Sequence, residues 1–187
     1  MRIIGGNFRG KKIVAPESLP VRPTTDYAKT GLFNILNNRF NFNDIQVLDL
    51  FAGTGSITYE LLSRGCTRIH CVDRNAGCIH FIKSTLEKLR SPASVKTAHA
   101  DALTWLEKSV VKYDVIFADP PFEMDIASEL TQLVFDNIKL ATDGLLIIEH
   151  QSTKDYSQLA HFSEARKYGN ITFSFFTVSA IALATAN

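Results

Sequence analysis

The sequence predicts a doubly wound α/β domain, a mostly parallel seven-stranded sheet with an antiparallel C-terminal hairpin and a small N-terminal β-hairpin extension. Three observations predict it. Short apolar runs recur from Gln46 onward, segments of helical periodicity lie between them, and the last two runs flank a turn signal, Gly169-Asn170. Continuous apolar runs are strands buried on both faces, the condition of a parallel sheet covered by helices on each side. A Gly-Asn pair between runs instead joins antiparallel strands.

Residues 2–14 (RIIGGNFRGKKIV) read as two short strands about a basic, glycine-punctuated turn, and Pro16 to Pro23 reads as loop. Thr24-Thr25-Asp26 offers N-cap oxygens to a helix over 26–38, whose Ala28, Leu32, Ile35 and Leu36 share one face. Gly31 weakens that helix by about 1 kcal/mol relative to alanine. The buried strands are Val47–Phe51, Ile69–Val72, Val95–Ala98, Asp114–Ala118 and Leu145–Ile148. Between them the helical periods cover Ser56–Arg64, Ala76–Arg90, Ala102–Val110 and Asp125–Leu140. The closing hairpin pairs Phe162–Tyr168 with Ile171–Val178, and residues 179–187 read as a frayed tail.

The chain has 187 residues, 45% apolar and 21% charged, which suits one domain burying roughly 70% of its unfolded surface. No apolar run reaches the roughly 18 residues of a membrane span and the N-terminus lacks a secretory apolar region, so a cytoplasmic protein is expected. A monomer is expected as well. Cys66, Cys71 and Cys78 are odd in number and lack Cys-x-x-Cys spacing, so they read as buried thiols rather than disulfides or zinc ligands. The histidines are scattered, and no metal is expected. The net charge of +1 divides unevenly, with +5 on residues 1–40 and −4 on the rest. A basic segment on an acidic body suits a polyanionic partner, and a solvated, mobile end accounts for the charge equally well. The expected division is a basic extension over 1–40 and a catalytic domain over 41–187.

Two loops carry chemistry. In the first, Asp49-Leu50-Phe51-Ala52-Gly53-Thr54-Gly55 places Gly-x-Gly where the first strand gives way to its helix. Glycines there let the backbone approach a ligand, and free N–H groups at a helix start favour polar or anionic groups. Thr58 stands at the third position of the dinucleotide fingerprint, and no lysine follows to make a phosphate loop. Asp73 ends the second strand, where a carboxylate can accept from both hydroxyls of a ribose, and Asp101 follows the third. Each acid alone is better explained as a helix N-cap or a solvated loop residue. Together they line the carboxyl ends of strands one to three, the crevice where open α/β sheets bind ligands, and a nucleoside-containing cofactor is the natural occupant.

In the second loop, Asp119-Pro120-Pro121-Phe122 ends the fourth strand. Prolines have no N–H and stiffen the chain, so carbonyls and the Asp119 carboxylate form a pocket of acceptors. Phe122 adds a flat face for a base. The exocyclic amine of a nucleobase carries two N–H donors and a lone pair delocalised into the ring. Asp119 and the Pro120 carbonyl could take the two N–H groups and aim the lone pair at an electrophile.

With Asp-x-Phe-Ala-Gly-Thr-Gly and a downstream Asp-Pro-Pro-Phe, the chain resembles the S-adenosylmethionine-dependent amino-methyltransferases. Arg2-Ile3-Ile4-Gly5-Gly6, Arg9-Gly10-Lys11-Lys12, Arg22-Pro23-Thr24-Thr25-Asp26 and Leu32-Phe33-Asn34 resemble, more narrowly, the bacterial 16S ribosomal RNA guanine-N2 methyltransferases. The resemblance implies a Rossmann-like class I methyltransferase fold, S-adenosylmethionine as cofactor, and ribosomal RNA or the assembling small subunit as partner. It implies that Phe51, Ala52, Gly53, Thr54 and Gly55 line the methionine portion, Asp49 helps bind its amino group, Asp73 holds the ribose, and Asp101 with Ala102 reads the adenine. Asp119, Pro120, Pro121 and Phe122 would take the target guanine, and Arg9, Lys11, Lys12 and Arg22 would contact phosphates. The chain departs from the pattern at Tyr27-Ala28-Lys29-Thr30-Gly31, where relatives often carry Arg-x-Arg-Glu.

Rival readings are a DNA adenine-N6 methyltransferase with the same acceptors, a noncatalytic RNA-binding assembly factor, and a nicotinamide oxidoreductase. The length left after a catalytic domain disfavours the first, and the complete acid and Asp-Pro-Pro-Phe set disfavours the second. Thr58 disfavours the third. Glu149-His150, after the fifth strand, reads as a solvated loop.

Overall fold

The computed structural model describes residues 1–19, 24–91 and 94–178. Its strands are β1 (Gln46–Leu50), β2 (Arg68–Asp73), β3 (Val95–His99), β4 (Tyr113–Ala118), β5 (Leu140–Gln151), β6 (Phe162–Tyr168) and β7 (Ile171–Thr177). Its helices are α1 (Asp26–Arg39), α2 (Ser56–Ser63), α3 (Ala76–Lys88), α4 (Ala102–Lys108) and α5 (Ala127–Asp136). The strands form one sheet in the order β3-β2-β1-β4-β5-β7-β6, parallel from β3 to β5 and antiparallel where β7 joins β5 and β6. Strand order reverses between β1 and β4, which opens a crevice at their carboxyl ends.

The apolar runs fill two layers. On one face Val47, Val115, Phe117 and Ile147 pack with Leu32 and Phe33 of α1, Leu61 of α2 and Ile82 of α3. On the other, Leu48, Ile116 and Leu146 pack with Leu106 of α4 and Leu130 of α5. The alternation along each strand accounts for both sets, since neighbouring side chains point to opposite faces. All three cysteines are buried and unpaired, and among the described residues no helix is long and apolar enough to cross a membrane.

Four expectations need correction. The two strands expected within 2–14 reduce to one antiparallel bridge, Arg2 with Lys12, around a 3-10 turn at Gly6–Phe8. Gly6 and Gly10 take positive φ (69° and 84°), which breaks the extension, and the segment spends its hydrogen bonds on α2. Glu60 accepts from the Ile4 N–H at 2.8 Å, and Ser63 Oγ accepts from the Phe8 N–H at 2.8 Å. The last helix begins at Ala127 rather than Asp125 and ends at Asp136, because Ile138 adopts φ 51° and Leu140 already belongs to β5. β5 is far longer than Leu145–Ile148, since β7 pairs with it as far as Gln151. Consequently Glu149 and His150 are buried strand residues and not a solvated loop. The tail expected at 179–187 lies outside the described residues.

Candidate active site

The Gly-x-Gly turn is built by hydrogen bonds from both flanking strands. Phe51 leaves β1 with φ 58°, a left-handed conformation that costs a non-glycine residue about 1 to 2 kcal/mol. Gly53 (φ 54°) and Gly55 (φ 82°) take the same region without that cost. The Ala52 N–H donates to the Val72 carbonyl at 3.1 Å and the Gly55 N–H to the Ala52 carbonyl at 2.8 Å. Gly55 then caps α2, with buried Thr54 before it.

Asp73 ties this turn to β2. One of its oxygens accepts from the Gly53 N–H at 2.8 Å and the other from the Asn75 N–H at 2.7 Å. Each oxygen keeps a lone pair for a further donor. Asp101 is exposed and caps α4 through the Thr104 N–H at 3.0 Å, with Ala102 buried beside it.

Asp49 lies beneath the turn, fully buried. Its Oδ2 accepts from the Thr58 N–H at 3.1 Å and the Thr58 hydroxyl at 2.6 Å, both inside the first turn of α2. Burial pushes the Asp49 carboxyl up to about 7, against the pull of the Thr58 hydrogen bonds. Both bonds fall on one oxygen, which leaves Oδ1 for a donor above it.

Asp119 stands across the mouth from the turn. Its N–H donates to the Leu50 carbonyl at 3.4 Å, so the acceptor loop begins where the cofactor turn begins. Pro120 is buried, Pro121 exposed and Phe122 half-buried. The Met124 N–H takes the Pro121 carbonyl at 2.8 Å, whereas no donor reaches the Pro120 carbonyl among the described residues.

Sequence reasoning missed Glu149. The last register pair of β4 and β5 is Ala118 with Ile148, so Asp119, the first residue past β4, comes next to Glu149 of β5, whose charge it feels. Glu149 is 4% exposed and accepts from the Thr24 hydroxyl at 3.0 Å. Burial pushes it up to about 7. Asp119 rises well above the usual carboxylate range, from burial first and then from the charges of Glu149 and Asp49. The only available signal was an acid directly after an apolar run, in line with Asp49, Asp73 and Asp119.

Of the residues expected on the basic surface, Arg9, Lys11 and Lys12 are exposed, with Lys11 over the Phe8 ring at 5.2 Å. Arg22 lies outside the described residues. A cavity of about 740 Å³ runs between this segment and the turn, lined by Met1, Arg2, Lys12, Asp26 and Thr54 among others. Of the three basic residues Lys12 lines this cavity, with Thr54 from the turn.

The seven-stranded order and the turn-to-Asp119 crevice define a class I methyltransferase fold. A solved structure described as a putative methyltransferase, yhhF of Escherichia coli, superposes with TM-score 0.83 at 28% identity, covering 96% of this chain and 98% of that one. A 16S rRNA N2 methyltransferase of T. thermophilus, solved with AdoMet and guanosine, shares the fold with TM-score 0.65 at 21% identity, over 85% of this chain and 45% of that one. The chain belongs to the family described as Conserved hypothetical protein 95, which matches residues 1–177. Ribosomal RNA small subunit methyltransferase D of Escherichia coli is 32% identical over 151 residues, 81% of this chain and 75% of that protein.

Proposed function

We propose that this protein is an S-adenosylmethionine-dependent methyltransferase that modifies the exocyclic N2 amine of a guanine in small-subunit ribosomal RNA. The observation that carries this reading is the Asp119 N–H on the Leu50 carbonyl, which sets an amine-accepting loop against a nucleoside-binding turn. The names of the Escherichia coli relative and of the T. thermophilus neighbour support the substrate class and the cofactor.

The residues fit the cofactor chemically. Asp49, Asp119 and Glu149 are acids gathered under one mouth, and none has an ion-pair partner among the described residues. A ligand carrying a sulfonium and an ammonium supplies the missing positive charge. The buried Ser56 hydroxyl at the start of α2 also lacks a partner among the described residues. When bound, the cofactor supplies a methyl group on a positively charged sulfur, which the amine lone pair displaces.

The chain's own residues do the rest. Asp73 holds the ribose hydroxyls, Asp101 and the Ala102 N–H read the adenine edge, and Phe51, Ala52, Gly53, Thr54 and Gly55 line the methionine portion with Asp49 Oδ1 on its ammonium. Asp119 and the Pro120 carbonyl accept the two N–H groups of guanine N2, Pro121 stiffens the loop, and Phe122 stacks on the ring. Arg9, Lys11, Lys12 and Arg22 grip phosphates. The base leaves its stack to enter, at least cost from an unpaired region, which favours ribosomal RNA over duplex DNA.

Methyl transfer tested on small-subunit RNA, assembling subunits and duplex DNA, with mass analysis of the nucleosides, checks this reading. N2-methylguanosine from the RNA-containing substrates is expected. Methyladenine from duplex DNA, or no transfer to RNA, would overturn it.

A further inference from the structure

Glu149 has no part in the roles just assigned, yet the fold goes to some length to bury it beside Asp119. The two carboxyls follow the last paired residues of β4 and β5, Ala118 and Ile148. The Thr24 hydroxyl, from the segment just before α1, closes over Glu149 Oε2 at 3.0 Å. The charged group that faces Asp119 from β1 is Asp49, β7 brings the Phe173 position opposite Glu149, and no ion pair among the described residues reaches either acid. Two carboxyls so placed cannot both ionise cheaply without a cation.

We propose that Glu149 is a positioning residue of the methyl-transfer site: with Asp119 it forms a carboxyl pair that holds one proton in the free protein and releases it when a cationic methyl donor binds. This deepens the reading above and rests on it. The pair thereby matches its charge to the state of the donor. With the sulfonium in place, Asp119 is ionised and meets the target amine as a carboxylate. As N2 gains its methyl, the N–C bond forms and the S–C bond breaks with its electron pair left on sulfur. The proton lost from N2 passes to the pair, which then faces a neutral thioether and again retains one proton.

Thr24 favours the charged form of Glu149, because a hydroxyl donor stabilises a carboxylate. Removing it raises the proton affinity of the pair. Replacing Glu149 by glutamine removes the repelling charge and lowers the proton affinity of Asp119. The two substitutions therefore move the same quantity in opposite directions, which a packing defect would not do.

The test is calorimetric binding of S-adenosylmethionine and S-adenosylhomocysteine to the full chain, in buffers of different ionisation enthalpy, from pH 5 to pH 9. Near pH 7 wild type is expected to release clearly more of a proton on binding S-adenosylmethionine than on binding S-adenosylhomocysteine, since the ammonium that both carry draws on Asp49 alike and only the sulfonium draws on the pair. The pH above which this excess release disappears should fall by about one unit or more in Glu149→Gln and rise in Thr24→Val. Should Glu149→Gln fail to fold, Thr24→Val decides. Equal release with both ligands, or an unmoved limit in the folded variants, overturns the proposal. A wild-type protein that binds neither ligand instead overturns the functional reading on which it rests.

Discussion

Asp73 and Gly53 are joined by a 2.8 Å hydrogen bond from the glycine N–H to the aspartate carboxylate. The bond links the end of β2 to the turn after β1, so the residue that would hold the ribose also fixes the turn that would line the methionine portion. Replacing Asp73 by alanine removes this bond and the one from Asn75. Hydrogen bonds to a charged group contribute about 1.5 to 3 kcal/mol each. S-adenosylmethionine affinity measured by calorimetry should fall by about tenfold or more, while Asp73→Asn, which keeps one oxygen, loses less.

Asp119→Ala removes an acceptor of the target amine without touching the Asp73 contacts. Single-turnover methyl transfer should fall by about 100- to 10,000-fold, the range of a positioned proton acceptor. Cofactor binding should remain within a few fold. Wild-type turnover in this variant would exclude the role given to Asp119.

The basic segment is tested through salt. Arg9, Lys11 and Lys12 are exposed on a segment pinned to α2 by Glu60 and Ser63. Replacing all three by alanine should weaken RNA binding and lower the slope of log affinity against log salt by about 2, at about 0.7 per phosphate of single-stranded RNA. An unchanged slope would place the RNA elsewhere.

Burial of Asp49 has a consequence for stability. Its carboxyl is raised from 3.8 to about 7 in the folded protein, so between those values the folded state binds more protons than the unfolded state. The stabilisation is complete below about pH 4 and is lost as pH rises through about 7, at up to about 1.4 kcal/mol per pH unit. Chemical denaturation of ligand-free protein should show this decline, and Asp49→Asn should flatten it. Glu149 contributes in the same direction, raised from 4.5 to about 7.

Gly31→Ala sets helix propensity against packing. Alanine gains about 1 kcal/mol over glycine within a helix. Here its methyl would fall 2.1 Å from a ring carbon of Tyr168, which packs edge-on against Tyr27 and also against Phe173. Overpacking costs about 1 to 3 kcal/mol, and with aromatic contacts on two sides the ring has little room to yield. A lower melting temperature is expected. A rise would mean that Tyr168 moves aside freely.

The Tyr27 to Gly31 departure illustrates what one sequence leaves open. Gly31 reads along the chain only as a weak point in a helix, and Tyr27 only as an unlike residue at a family position. Their meaning depends on Tyr168, which is more than 130 residues away and reaches them only after β6 and β7 fold back. Likewise, Glu149 follows an apolar run whose end cannot be placed without knowing that β7 extends β5 to Gln151.

The sequence alone determined the order of the elements, the parallel core and the two loops at its carboxyl edge, because strand and helix periods and turn chemistry are local properties. Asp49, Asp73, Asp101 and Asp119 were legible for the same reason, each at or just beyond the carboxyl half of an apolar run. Tertiary structure decided which partners these acids meet. It placed Asp49 against Thr58, Asp73 on the Gly53 N–H and Glu149 between Asp119 and Thr24. Those pairings depend on strand register and on the docking of an N-terminal segment, and hydrogen bonding and charge repulsion act through a few ångströms of space, whatever the separation along the chain.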